Sequence, residues 1–572
     1  MIWSSDRAGY RSHGSWGAHR DEYIMFFDAD AYDKFRMNKE ELALAEEMEK
    51  LQKEADEKAR KEKEEKEKDK KKKDKKDDEK KDEEKKDEEL KFDLENRKDR
   101  IVRLTTHSMS LGDAILTKKG DKLLYLTSFE GGVDLWERNF REGSDKIVVR
   151  GLGWGKLIPD KELKYAYIAT GAMKRIDLSN NSVHNISYNA EFNYRPAEER
   201  EYIFNHIWQQ VKDKFYEPNL HNVDWEYYKK EYKKFLPYIT NNVDFADMLS
   251  ELLGELNASH TGARASFGNS YHTAVLGAFY DASYDKDGLK IKEILKGGPL
   301  TRANSKIKAG TIIEKVNGKE IKKGEDYFPL FENLAGKRVL LSLYNPDTKE
   351  HYEEWVKPIT QGAESSLRYK RWVERRREIV DSLSGGRIGY VHVAAMNSES
   401  FRNTFSDLLG RDRHKEAVLV DTRHNGGGWL HEDLATLLSG KEYQRFMPRG
   451  KYIGSDPFTK WNKPSAVLVC EDNYSNAHGF PTVYKALGIG KLIGTPVPGT
   501  MTAVWWETQI NGEVVFGVPQ VGVQDKNGKY LENQELQPDI LVYNSPEDNL
   551  KGKDTQLEAG VRHLLEVIGK KK

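Results

Sequence analysis

The chain has 572 residues, 37% hydrophobic and 33% charged, with a formal net charge of -1 and a single cysteine. Near-neutrality gives no electrostatic basis for nucleic acid or an anionic membrane as partner, and one cysteine excludes an intrachain disulfide and any multi-cysteine metal site. No apolar run approaches the roughly 20 residues of a membrane span, and the length calls for several domains.

Residues 1–48 read as strand-like fragments and turns followed by a helical stretch at Asn38–Ala45, a partial β-propeller blade. Met1 to Arg7 lacks the apolar segment of a signal peptide. From residues 49–95 the chain is dominated by Lys, Glu and Asp, which cannot bury enough apolar area to offset chain entropy, so a solvated insertion, disordered or helical, is expected. Over residues 96–192, short β-rich runs alternate with Gly, Asp and Lys turns: Ala114–Thr117, Lys122–Thr127 and Val133–Trp136, then Gly155–Ile158, Tyr165–Ala169 and Lys174–Leu178. The repeat reads as propeller blades. Only two full blades and part of another fit, whereas closure takes roughly four to eight. The chain therefore reads as the C-terminal portion of a longer protein, or as one with an unusual partial propeller.

Residues 193–267 become helical. Ile203, Ile207 and Val211 share one face, and Asn242–Leu253 is a second amphipathic stretch. Residues 268–360 return to β, with Leu276–Phe279, Leu289–Ile294 and the run Gly310-Thr311-Ile312-Ile313-Glu314-Lys315-Val316-Asn317-Gly318 resembling a helix-capped PDZ domain, which adds a peptide as a β-strand. Residues 361–572 alternate apolar runs (Ile388–Val393, Ala417–Asp421, Ala466–Cys470) with helical segments (Ser398–Leu409, Glu432–Leu438), as in a sheet covered on both faces. The fold class is thus multidomain α/β and β.

Three features carry chemistry. Asp421-Thr422-Arg423-His424-Asn425-Gly426-Gly427-Gly428 follows a buried strand, and its glycines permit backbone that aims amides at a ligand. A plain turn would look the same, and a phosphate loop lacks its Gly-Lys-Ser/Thr. Cys470-Glu471-Asp472-Asn473-Tyr474-Ser475-Asn476 joins a strand to a helix, a place where a serine hydroxyl is exposed beside free amides. Most such serines are merely helix caps. Leu256-Asn257-Ala258-Ser259-His260-Thr261-Gly262 ends the helical region, where a histidine is ordinarily a cap or surface residue.

Taken in order, these segments resemble tricorn protease, within the group of C-terminal processing peptidases, and Glu532-Asn533-Gln534-Glu535-Leu536-Gln537-Pro538-Asp539 matches the family's close. The resemblance implies a domain of the tail-specific protease type and a serine peptidase working through an acyl-enzyme. Ser475 would be the nucleophile and His260 the general base, Ser259 would bond the other imidazole nitrogen and Glu532 would orient Ser259. The amides of Gly428 and Asn476 would form the oxyanion hole, which leaves the Asn476 side chain free to vary. Asn476 stands where the family often has Asp. The position of an acidic residue that favours basic side chains in the archaeal enzyme falls near Phe446 here. With Gly427, Phe446 is expected to line the substrate pocket and weaken that preference. Thr495–Met501 departs from the family's "TxGG" stretch.

Other actors are weaker. Cys470 lies in an apolar strand, His478 sits three residues past Ser475, and His424 lies within the glycine loop. No His/Glu cluster has metal-ligand spacing, so neither a metal nor another cofactor is expected. The resemblance implies peptides or unfolded chain ends as substrates and a homo-oligomer, specifically a hexamer. It leaves cytoplasm and periplasm both open. The rival reading is a non-catalytic peptide-binding scaffold that retains the protease fold.

Overall fold

The computed structural model describes residues 1–9, 18–71, 92–129, 131–170, 172–265 and 272–569. They form two compact units that divide between Asn193 and Tyr194. Part of the expected charged insertion, residues 72–91, lies outside the described residues, and its first half continues the 33-residue helix Lys39–Lys71. Among the described residues no helix is long and apolar enough to cross a membrane.

The first unit is built of antiparallel sheets. Ile2–Ser5, Asp21–Met25 and Ile101–Arg103 make a three-stranded sheet; the next eight strands form two four-stranded meanders, Leu111–Val149 and Ile158–Ile186. Period-two patterning sends Leu124, Leu126 and Leu135 of one meander and Ala166, Ile168 and Ile176 of the other into a shared core.

In the second unit the helix Pro196–Lys214 buries Ile203, Phe204, Ile207, Trp208 and Val211, and Asn242–Gly254 is capped by the Asn241 side chain on Val243 N and Asp244 N. These helices do not close a core alone. Val514, Phe516 and Val518, from a three-stranded sheet of Gly262–Ala265, Val514–Gly522 and Thr502–Thr508, complete it.

A six-stranded antiparallel sheet spans Ala278–Tyr280 to Glu350–Val356. The helical cap expected within it is only the short 3-10 turn Phe328–Phe331 among the described residues.

The last part is a five-stranded parallel sheet in the order Ile388–His392, Ala417–Asp421, Ser465–Val469, Lys491–Gly494, Ile540–Leu541. Alternate residues serve opposite faces. Tyr390, Leu419 and Leu468 meet Val561 and Leu564 of the helix Thr555–Gly569, while Val391, Val420 and Val467 meet Leu434, Phe480 and Tyr484 of His431–Leu438 and Asn476–Ala486. Two of its strands, Ala417–Asp421 and Ser465–Val469, release at their C-terminal ends the glycine loop and the Ser475 turn, side by side.

Candidate active site

Ser475 ends that turn as the N-cap of Asn476–Ala486, at φ 57° and ψ -124°. A non-glycine residue rarely holds such backbone unless its neighbours impose it. Here they do. Ser475 N donates to Thr500 Oγ1 (2.8 Å), and Tyr474 N to the Asn425 carbonyl (3.0 Å). The Asn473 carboxamide donates to Thr422 Oγ1 (3.0 Å) and the Ala477 carbonyl (3.2 Å).

The glycine loop presses on this turn. A Cβ at Gly427 would stand 2.6 Å from the Ser475 Cβ, and one at Gly428, φ 134°, would stand 2.1 Å from the Met396 carbonyl oxygen. Any side chain at either position would push the loop off its seat. Gly428 N and Asn476 N donate to no acceptor among the described residues, and Asn476 N heads a helix, whose dipole favours negative charge there.

Behind the loop, Arg423 is buried with its guanidinium donating to Asp421 (2.9 and 2.7 Å) and to Asp554 (2.9 and 3.0 Å). Burial would raise the Asp421 pKa, but Arg423 overrides it and holds the carboxyl at about 2. The Asp-x-Arg of the motif is therefore the foundation of the loop, not a reacting group.

Ser259 and His260 leave the helix Asn242–Gly254 on a short turn. Glu532, 3% exposed, accepts from Ser259 N through Oε1 and from Ser259 Oγ at 2.9 Å through Oε2. Ser259 Oγ lies 2.8 Å from His260 Nδ1. A hydroxyl has one proton, and the carboxylate takes it; Ser259 Oγ must then accept from Nδ1–H, which leaves the imidazole lone pair on Nε2. Burial lowers the His260 pKa to about 4, so the ring stays a neutral base. Burial also raises Glu532, against the opposing bonds from Ser259.

The Tyr474 hydroxyl accepts from His260 N (2.7 Å), and its ring lies 4.8 Å from the imidazole centroid. The residue beside Ser475 thus ties the His260 turn to the Ser475 turn. The hydroxyl of Ser475 makes no hydrogen bond to His260 in this state, and catalytic contacts of this kind commonly tighten only around substrate.

Several site residues escaped the sequence reading. Thr502 Oγ1 lies 2.9 Å from His260 Nδ1, a second hydroxyl on the same nitrogen, and Thr500 holds Ser475 N; both lie in or beside the segment that departs from "TxGG". The expectation that the Asn476 side chain is free to vary is corrected. It is buried, Oδ1 accepts from Leu430 N (2.6 Å) and His431 N (3.0 Å), and Nδ2 donates to His431 Nδ1 (2.8 Å). Only its coordinates could reveal this, because the partners lie 45 and 46 positions away.

Phe446 stands on the hairpin Gln444–Asp456, stacked on Phe458 at 5.4 Å. His478 is 1% exposed, with its pKa lowered to about 4 by burial, one helical turn beyond Ser475. His424 pairs with Asp472 at 2.8 Å, and the Cys470 thiol is pushed up by burial.

Residues 387–542 match the family model of Peptidase family S41, and residues 196–254 that of the Tricorn protease C1 domain. This chain is tricorn protease-like. It is 28% identical over 385 residues to "Tricorn protease homolog 1" of Streptomyces coelicolor, covering 65% of this chain and 36% of that protein. It is 23% identical over 387 residues to "Tricorn protease" of Thermoplasma acidophilum, covering 64% of this chain and 35% of that protein. The tricorn-like chain spans about a third of the length of these curated relatives. A crystal structure of the tricorn protease superposes with a TM-score of 0.72 at 18% identity, covering 84% of this chain and 49% of the other. The fold is a tricorn-like multidomain α/β and β fold with an S41 protease domain.

Proposed function

We infer that the chain is a serine peptidase that cleaves peptides or unfolded chain ends through an acyl-enzyme. The observation that carries the reading is the hydrogen-bonded run from Glu532 through Ser259 to His260, beside the strained Ser475 turn. In this reading Ser475 Oγ attacks the carbonyl carbon, and its proton passes to His260 Nε2. The imidazolium then gives that proton to the leaving amine, and water repeats the sequence to release the acid. Ser259 holds the ring, and the Glu532 carboxylate supplies the negative charge that a neutral hydroxyl lacks. Gly428 N and Asn476 N receive the oxyanion, where each donor is worth about 100- to 1000-fold in rate.

The finer architecture belongs to the same proposal. The two four-stranded meanders read as propeller blades and the six-stranded sheet as PDZ-like, able to hold a peptide as an added strand. Phe446 and Gly427 as pocket walls, and assembly into a homo-oligomer, remain expectations of this reading; sedimentation of the purified protein measures the latter.

The test pairs a fluorogenic peptide panel with a fluorophosphonate label. Hydrolysis and labelling, both lost in Ser475→Ala, are expected. A folded preparation that neither hydrolyses nor labels would favour the non-catalytic scaffold, and inactivation by Cys470→Ala with Ser475→Ala unaffected would move the nucleophile to the thiol.

A further inference from the structure

Sequence spacing shows no metal motif, yet the fold gathers three ligand types that are apart in the chain. His424 from the glycine loop, and Cys470 and Asp472 from the Ser475 turn, present one nitrogen, one sulfur and one oxygen that all lie within 4.8 Å of one another. The two strands that release these loops are hydrogen-bonded neighbours, which fixes the cluster on the rigid end of the sheet. We propose that His424, Cys470 and Asp472 form a regulatory site for a single Zn2+ ion that restrains the neighbouring catalytic turns.

The donor set supports that choice. Mixed imidazole, thiolate and carboxylate ligation suits zinc, whose bonds of about 2.0–2.3 Å place tetrahedral ligands roughly 3.5 Å apart. His424 and Asp472 side chains are 50% and 64% exposed, so both can rotate inward and an ion has an entry path. Cys470 is the buried member and supplies the fixed corner. Three protein ligands leave the fourth position for water.

The route to the active site is short. The Cys470 thiol donates to Asn473 Oδ1 (3.4 Å), which also accepts from Cys470 N (3.1 Å). Zinc binding releases the thiol proton to solvent and replaces that donor with a thiolate, whose charge faces the same Oδ1. Asn473 must then turn, and its Nδ2 is what anchors Thr422 Oγ1 and the Ala477 carbonyl across the Ser475 turn. On the other loop, His424 adjoins Asn425, whose carbonyl accepts from Tyr474 N. An ion joining the two loops therefore bears on both the serine and the oxyanion donors.

The experiment is zinc titration of the full chain by calorimetry, in the active protein and in Ser475→Ala, so that binding is read without dependence on peptidase activity. One ion per chain is expected. His424→Ala and Cys470→Ser each weaken it by more than the roughly 10- to 100-fold that changes outside the ligand set cost. Asp472→Asn, an exposed change, provides the same test should Cys470→Ser fold poorly. Cobalt in place of zinc should give a thiolate-to-metal charge-transfer band that Cys470→Ser abolishes. Zinc should lower kcat, with reversal by chelator and insensitivity in His424→Ala. Binding that persists in His424→Ala and Asp472→Asn, or no binding at all, would overturn the site. Binding without inhibition of an active enzyme would overturn the restraint. Binding to a protein with no activity would leave the site standing and remove the peptidase reading on which only the inhibition rests.

Discussion

At His260 the decisive quantity is the cost of charging a half-buried ring. Burial holds its pKa at about 4 instead of 6.5, and a base works only while Nε2 is unprotonated. Protonating Glu532 would remove the charge behind Ser259, so both losses fall on the acid side. Activity is thus expected to persist as pH falls well below 6.5 and to fail toward about 4, read from kcat/KM against pH. An acid limb at 6.5 would mean that the ring titrates as if in water. The two hydroxyls on Nδ1 can be ranked by substitution: Ser259→Ala should cut kcat by about 100-fold or more, since it also breaks the side-chain link from Glu532 to the ring, and Thr502→Val by about 10-fold. Equal losses would mean that Ser259 and Thr502 share the orientation of the ring. Of these residues, Ser259, His260, Ser475 and Glu532 were legible because four motifs fall in family order. Thr502 was not, because a threonine in a β-rich stretch carries no local mark of what its hydroxyl faces.

The helix His431–Leu438 starts on a borrowed cap. No side chain of its own N-cap residue, Leu430, can bond its first amides, and Asn476 from another helix does so. Asn476→Ala should therefore cost about 1–3 kcal/mol in urea unfolding, the usual penalty for stranding buried donors, and lower kcat through the adjacent Gly428. Asn476→Asp keeps the oxygen that accepts from both amides but needs a proton on His431 Nδ1. Pairing with the new carboxylate raises the His431 pKa in the folded state, so that stabilisation is present at low pH and lost as pH rises through the folded pKa. A pH-independent difference from the parent would count against this account. Element type was readable where periodicity is strong, as in Pro196–Lys214, whose apolar spacing admits one reading. A cap supplied 45 positions away is invisible to any local rule.

Over the second unit as a whole, the division into segments visible in the sequence is crossed by the chain. The helices that deliver Ser259 and His260 rest on Val514, Phe516 and Val518, from beyond Ser475. The change at residue 193 was legible because helical and β patterns differ there; the return of a hairpin to cover the helices was not, since its strand pattern fits any apolar partner. Phe516→Ala should destabilise by about 3–5 kcal/mol and abolish activity at a temperature where the parallel sheet still stands, seen by comparing inactivation with global melting. Coincident loss of both would show one cooperative unit. The Arg423 cluster carries a different implication. Two of its four hydrogen bonds to carboxylates go to Asp554, and removing one partner of a buried ion pair costs about 3–5 kcal/mol. A nascent chain halted before Asp554 would hold every reacting group already discussed and yet lack a settled glycine loop. On the proposed peptidase reading, translation would then keep the site silent on the ribosome, and hydrolysis could begin only after Asp554 has emerged and docked.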